Sequence, residues 1–236
     1  MKIHDVEQNS EAWFRLRAGV PTASQWHKLL TPAKLEPSRS RSGYAYELAG
    51  PVIAGEPLES FGGSSWTERG HRLEPEARDE YRAIANLPVD EVGFVTQDIT
   101  ALNDQRLPVG ASPDALVGSS GLLEIKVLAY HNHLALVDEF MQTGDFPHEF
   151  RIQVQGQMYV TGREWCDLWL YHPHPKIPNL RIHATRDEEL IDKLEPQLLW
   201  VLDQRDRIVE RMRDQFDCAV ATDSHNASGA HINQKD

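Results

Sequence analysis

The segment Leu122-Leu123-Glu124-Ile125-Lys126-Val127 constrains this chain more than any other. It reads as a β-strand, and residues two apart on a strand share a face. Glu124 and Lys126 therefore project together, about 6.6 Å apart along the strand, while Leu123, Ile125 and Val127 enter a core. Charges on a strand otherwise built from Leu, Ile and Val are costly to bury without a partner or a metal. Upstream, Ser112-Pro113-Asp114 leads into a second strand, Ala115–Val117, and a tight Gly118–Gly121 turn brings Asp114 beside Glu124. Two acids and a lysine so placed suit phosphodiester hydrolysis. A hard dication prefers carboxylate oxygens, polarises a phosphoryl oxygen and lowers the pKa of a bound water, and a second ion about 3.5–4 Å away stabilises the leaving oxygen. Asp114, Glu124 and the Ile125 carbonyl are the candidate ligands, and Lys126 the candidate for orienting the attacking water. Taken alone, the same residues also read as an exposed, salt-bridged strand face.

The rest of the chain alternates helices and strands. Ser10 opens a short helix over 11–17. Thr22-Ala23-Ser24-Gln25 fits a capping box, Thr with Gln three residues later, and predicts a helix through Leu30. Residues 31–43, rich in Pro, Ser and Arg, predict a loop. A helix follows near Tyr44–Ile53. Another begins at Ser65-Trp66-Thr67-Glu68 and runs toward Ile84, with Pro75 inside it as a point of kinking or breakage. Strands are expected over Val92–Ile99, Val109–Ala111, Ala115–Val117, Leu122–Val127, Trp165–Tyr171 and Leu180–Ala184. His131–Met141 reads as helix. Arg151–Val160 fits helical spacing and strand alternation equally, and helix is chosen. A long amphipathic helix spans Asp187–Phe216, and the small, polar residues 222–236 predict a disordered tail. The expected architecture is a single α/β domain over 1–221, a mixed sheet flanked by helices.

Beyond the acid–acid–lysine strands, three further segments carry a resemblance. Trp13-Phe14-Arg15-Leu16-Arg17-Ala18-Gly19-Val20-Pro21-Thr22-Ala23-Ser24 resembles the opening motif of the lambda exonuclease, or YqaJ-like, viral recombinase family. Gly70-His71-Arg72-Leu73-Glu74-Pro75-Glu76-Ala77-Arg78 resembles its Gly-x-x-x-Glu helix, and Gln153-Val154-Gln155-Gly156-Gln157-Met158-Tyr159-Val160 its Gln-x-x-x-Tyr motif. Pro113-Asp114 with Glu124-Ile125-Lys126 is similar to the PD-(D/E)XK nuclease motif. The resemblance implies a restriction-endonuclease-like core. It implies Asp114, Glu124 and Ile125 as metal ligands, Lys126 as the catalytic lysine, Glu74 as the helix acid near the metals, and Gln155 with Tyr159 as the supporting helix. It also implies Arg17, Ser24 and Ser112 as a pocket for the DNA's 5′ phosphate. The Thr22 capping box would set Ser24 in a helical first turn, where free N–H groups attract an anion. Trp66 is the candidate for the apolar wedge that splays the duplex end. Glu76 competes with Glu74, since Pro75 leaves the helix face open.

The activity so implied is a Mg²⁺-dependent 5′→3′ exonuclease on linear double-stranded DNA, with two ions per site and Mn²⁺ able to substitute. It would release mononucleotides and leave 3′ single strands for recombination by strand annealing. A homotrimeric ring and a single-strand-annealing partner protein come with the family. Rival readings are another PD-(D/E)XK nuclease, an endonuclease or a Cas4-like enzyme, and a catalytically inactive DNA-end-binding protein. The two cysteines, Cys166 and Cys218, cannot supply the ligands of a Cas4-like iron–sulfur cluster. Cys166 reads as a packed thiol, and the His131/His133 and His172/His174 pairs as loop histidines rather than zinc ligands.

Charge bounds these readings without deciding them. The net charge of −12 argues against nucleic acid at first sight. Residues 1–46, however, hold seven Lys/Arg against four acids, a local +3, which leaves −15 for the remainder. An acidic nuclease can still offer one basic surface to phosphates. No apolar run approaches the ~20 residues of a membrane span, and no apolar stretch of a signal peptide follows Met1. The expected location is the cytoplasm of a bacterial host, with a phage or prophage origin.

Overall fold

The computed structural model describes residues 1–58, 65–101 and 104–227, with backbone alone for 65–68, 71 and 216–227. The elements run β1 (Lys2–His4), α1 (Glu11–Arg17), a 3-10 helix (Ala23–Lys28), α2 (Arg41–Ala54), α3 (Ser65–Ala85), β2 (Val89–Asp90), β3 (Phe94–Thr100) and β4 (Arg106–Ala111). They continue with β5 (Ala115–Val117), β6 (Gly121–Lys126), α4 (Tyr130–Thr143), α5 (His148–Thr161), β7 (Trp165–Leu170), β8 (Leu180–Thr185) and α6 (Glu188–Ala227).

The strands form the mixed sheet expected and, beside it, a second, antiparallel one. An antiparallel sheet has the order β1-β3-β4, and a mixed sheet the order β2-β5-β6-β7-β8. Within the mixed sheet only β6 and β7 are parallel. Parallel neighbours need a long crossover, and α4 with α5 supplies it. Helix α5 packs against strands of both sheets. Its consecutive residues from Val154 to Thr161 are all buried, which erases the one-sided hydrophobic stripe of a surface helix. That burial explains why its sequence fitted strand and helix alike.

The 3-10 helix sits close on α5 because position 156 is glycine. A Cβ there would lie 2.5 Å from the Trp26 ring. Tyr44 and Leu48 of α2 and Leu194, Leu198 and Val201 of α6 complete the larger core. On the other side of the mixed sheet, Ala77 and Tyr81 of α3 cover Leu123 and Ile125. Pro75 does not break α3. Buried Asp167 ties α3 to β7 and β8, accepting from Tyr81 Oη at 2.6 Å and lying 2.7 Å from His183 Nδ1.

Two local expectations change, and one strand is new. The 22–25 capping box does not form: Thr22 makes no side-chain cap, and the segment is 3-10 rather than α. Strand β1, three residues long, was not expected. Helix α6 continues to Ala227, across the first part of the tail expected from 222, and 228–236 lie outside the described residues.

Candidate active site

The β5–β6 hairpin builds the acidic centre. Ala115 pairs with Leu123, so one further step of the antiparallel register sets Asp114 opposite Glu124. Asp114 N–H donates to the Leu123 carbonyl at 3.0 Å. The Asp114 carboxylate accepts from Ile125 N–H at 2.5 Å, and Arg78 Nε donates to the Asp114 carbonyl at 3.1 Å. Asp114 and Glu124 are both buried, at 9% and 4% exposure. Lys126 Nζ stands 2.7 Å from Glu124 Oε1 and 5.0 Å from the centre of the Phe150 ring. The shared face read from the strand period thus becomes a direct ion pair.

Helix α5 holds this pair from below. Gln153 Nε2 donates to Glu124 Oε1 at 2.6 Å, and Gln153 Oε1 accepts from Lys126 at 3.2 Å. Gln157 Nε2 donates to Glu124 Oε2 at 2.6 Å. Gln153 and Gln157 are four apart and share a helix face, whereas Gln155 is turned about 200° from Gln153. The expectation for Gln155 is therefore corrected. Its amide donates to the Thr185 carbonyl and accepts from Asp187 N–H, both at 2.8 Å. Tyr159 likewise turns from the acids, donating to Glu195 at 3.2 Å and packing edge-on against Trp26.

Burial, then the charges of Glu124 and Glu74, hold the Asp114 carboxyl well above the ordinary range. Burial works to lower the Lys126 ammonium, but Glu124, Asp114 and Glu74 overcome it and raise it. Glu74 thus lies within electrostatic reach of both groups, and it lines one cleft with Asp114 and Arg78. Its rival Glu76 acts instead on Tyr171, whose hydroxyl donates to Glu80 at 3.5 Å.

A second constellation surrounds Arg17. Nη1 donates to Ser112 Oγ at 3.1 Å, and Nη2 to Thr22 Oγ1 at 3.2 Å and Ser24 Oγ at 3.5 Å. The guanidinium lies 3.9 Å from the centre of the Trp13 ring, and Trp13 Nε1 donates to Ser112 Oγ at 2.9 Å. Among the described residues no carboxylate pairs with Arg17. Burial lowers it to about 10, which leaves it charged at neutral pH. The structure brings Arg17, Ser24 and Ser112 together as the resemblance implied, and adds Trp13 and Thr22. Arg17 lines a cleft of about 570 Å³ shared with Gln25, Lys28, Tyr44 and Tyr46. The side chain of Trp66 lies outside the described residues.

Among the described residues no three His, Cys, Asp or Glu side chains form a ready-made metal cage. The donor chemistry still fits a hard dication. Buried Asp114 and Glu124 repel each other, a cation would relieve that repulsion, and Mg²⁺ is usually held by one or two carboxylates with waters and phosphates completing the shell. The histidines do not compete: His131 and His133 belong to α4 rather than a loop, and buried His133 is engaged through Nε2 by the Pro178 carbonyl at 2.8 Å. Cys166 is a buried free thiol. Among the described residues no helix is long and apolar enough to cross a membrane.

The model of the YqaJ-like viral recombinase domain matches residues 12–164, a span holding both constellations. The chain belongs to this family. An alkaline exonuclease from Laribacter hongkongensis has 31% sequence identity, with a TM-score of 0.74 over 89% of this chain and 100% of that one. The same protein solved in complex with dAMP gives 0.73. A phage-related exonuclease from Haemophilus somnus, 18% identical, shares the fold at 0.59 over 84% of this chain and 99% of that one. The architecture is that of the restriction-endonuclease-like fold. No curated protein matches the chain.

Proposed function

We propose that this protein is a metal-dependent 5′→3′ exonuclease acting on linear double-stranded DNA. The observation that carries the reading is the distance in sequence between the two constellations. Ser112, which receives Arg17, precedes Asp114 by two residues, about 6.6 Å of extended chain. An anion pocket so close to the acids suits a strand whose terminal phosphate rests on Arg17 while its next phosphate reaches Asp114 and Glu124. Cleavage there releases one nucleotide, and a mononucleotide is what the Laribacter enzyme holds in its dAMP complex.

Asp114, Glu124 and the Ile125 carbonyl would hold Mg²⁺ or Mn²⁺, with Glu74 at the edge of a two-ion site. Bound there, the ions supply charge neutralisation at the phosphoryl group and an acidified water. Gln153 and Glu124 hold the Lys126 ammonium beside the acids, where it can orient that water and stabilise charge on the phosphoryl oxygens. Arg17, Ser24, Ser112 and Thr22 fix the end, and so the register of the scissile bond. A homotrimeric ring around DNA, a single-strand-annealing partner and a role in phage-type recombination in the bacterial cytoplasm complete the proposal, on family grounds alone. The test is digestion of linear and closed circular duplex with and without Mg²⁺. Loss of the linear form alone, only with metal, is expected; cutting of the circle would favour an endonuclease, and binding of ends without digestion an inactive end-binder.

A further inference from the structure

We propose that Gln157 is a positioning residue for Glu124, and that the Cys166 thiol sets the orientation of the Gln157 amide. The inference rests on the reading of Glu124 as a metal ligand. Glu124 Oε1 is engaged by Lys126 and Gln153, whereas Oε2 receives Gln157 Nε2 at 2.6 Å. Gln157 is 1% exposed, so bulk solvent does not reach that donor. An amide can present either end to a carboxylate, and only the N–H₂ end attracts one. The far end of the amide meets Cys166, whose Sγ lies 4.0 Å from Gln157 Oε1 and 3.8 Å from a second acceptor, the Asp167 carbonyl. A thiol is a weak donor. Burial, then Glu124 and Asp167, push it well above its ordinary value, so it keeps the proton it donates. Thiol, amide and carboxylate form one chain running from β7 through α5 to β6. A carboxylate held at one oxygen by a rigid buried amide keeps its orientation toward a cation, and loss of such an outer partner costs about 10–100-fold in metal affinity.

Gln155 is an internal control, since it lies on the same helix, is 3% exposed and makes two hydrogen bonds away from the acids. The full chain is titrated with Mn²⁺ alone, free ion being followed by electron paramagnetic resonance, and its melting is measured in parallel. Gln157→Met is expected to weaken Mn²⁺ binding about tenfold or more. Gln155→Met is expected to lower the melting temperature without moving the Mn²⁺ affinity. Cys166→Ala, a milder change, is expected to weaken Mn²⁺ binding, and Cys166→Ser, which keeps a donor, to weaken it less. Unchanged Mn²⁺ affinity in Gln157→Met and Cys166→Ala, with Glu124→Gln weakened, overturns the positioning role and leaves the metal reading standing. Unchanged affinity in Glu124→Gln overturns both. Equal weakening by Gln155→Met also overturns the proposal, because it reduces the effect to helix stability.

Discussion

Arg17 donates to Ser112 at 3.1 Å while Ser112 stands two residues before Asp114, so the serine belongs to the arginine cluster and its near neighbour to the acidic centre. A half-buried guanidinium surrounded by hydroxyls can satisfy its donors but not its charge. A terminal phosphate, with nearly two negative charges, would complete it through charge-assisted bonds of about 1.5–3 kcal/mol each. A linear duplex with 5′ phosphates is expected to be degraded faster than one with 5′ hydroxyls. Arg17→Ala should erase that preference while leaving Mn²⁺ binding intact. Equal rates on both ends by the unaltered protein would defeat the end-binding role.

The donor set predicts metal dependence. Mg²⁺ and Mn²⁺ should support digestion, Ca²⁺ should bind without turnover, and excess chelator should abolish activity. Lys126→Ala and Asp114→Ala should lose turnover by orders of magnitude and retain DNA-end binding, because their groups act chiefly on the transition state. Near-full activity in either variant, measured on 5′-phosphorylated linear DNA, would make the constellation structural.

How much of this was legible beforehand depended on whether a residue's partner lay nearby in sequence. Asp114, Glu124 and Lys126 were readable because a four-residue turn and the strand period of two fix their relation. Arg17, Ser24 and Ser112 were found through motif resemblance, since nothing local joins residues 95 apart; Trp13 escaped because its indole looks like core. On α5 the resemblance pointed to Gln155 and Tyr159. The 3.6-residue period separates Gln155 from the pair Gln153 and Gln157, but the sequence alone does not reveal which face meets Glu124. Thr22 failed as a cap for a related reason: its hydroxyl is taken by Arg17, a tertiary partner overriding a local signal. The second sheet was missed because β1 has three residues and its pairing to β3 spans some ninety.

The approach of the 3-10 helix to α5 gives a packing test. In Gly156→Ala the new Cβ would meet the Trp26 ring at 2.5 Å and the Ala23 Cβ at 3.1 Å. Alanine's helix preference, about 1 kcal/mol over glycine, should be outweighed by overpacking of about 1–3 kcal/mol. Because Thr22 and Ser24 flank Ala23, the displacement should also blunt the 5′-phosphate preference. A thermal melt and the paired-end assay check this; a melting temperature above that of the unaltered protein would show that the contact yields freely.

Asp114 gives a pH dependence of opposite sign to the usual salt-bridged carboxylate. Burial, then the charges of Glu124 and Glu74, raise its folded pKa well above the ordinary value, whereas the unfolded chain titrates near about 3.9. Between those two values the folded state keeps a proton that the unfolded state has lost, so stability falls as pH rises through the window. Below about 3.9 both states are protonated and the penalty is absent; above the folded pKa it is fully present. Asparagine carries no charge and can still accept from Ile125 N–H. In metal-free protein, Asp114→Asn should therefore melt higher than the unaltered chain at neutral pH, by about 2–4 °C for each kcal/mol regained, and the advantage should shrink toward pH 4. Saturating Mg²⁺ should reverse the order, because only the intact acid gains stability from binding the ion. Melting curves from pH 4 to 8, with Mg²⁺ and with chelator, measure both effects. A difference that stays constant with pH, or an asparagine variant that is the less stable at every pH without metal, would mean that Asp114 is not held as a repelled, buried carboxyl.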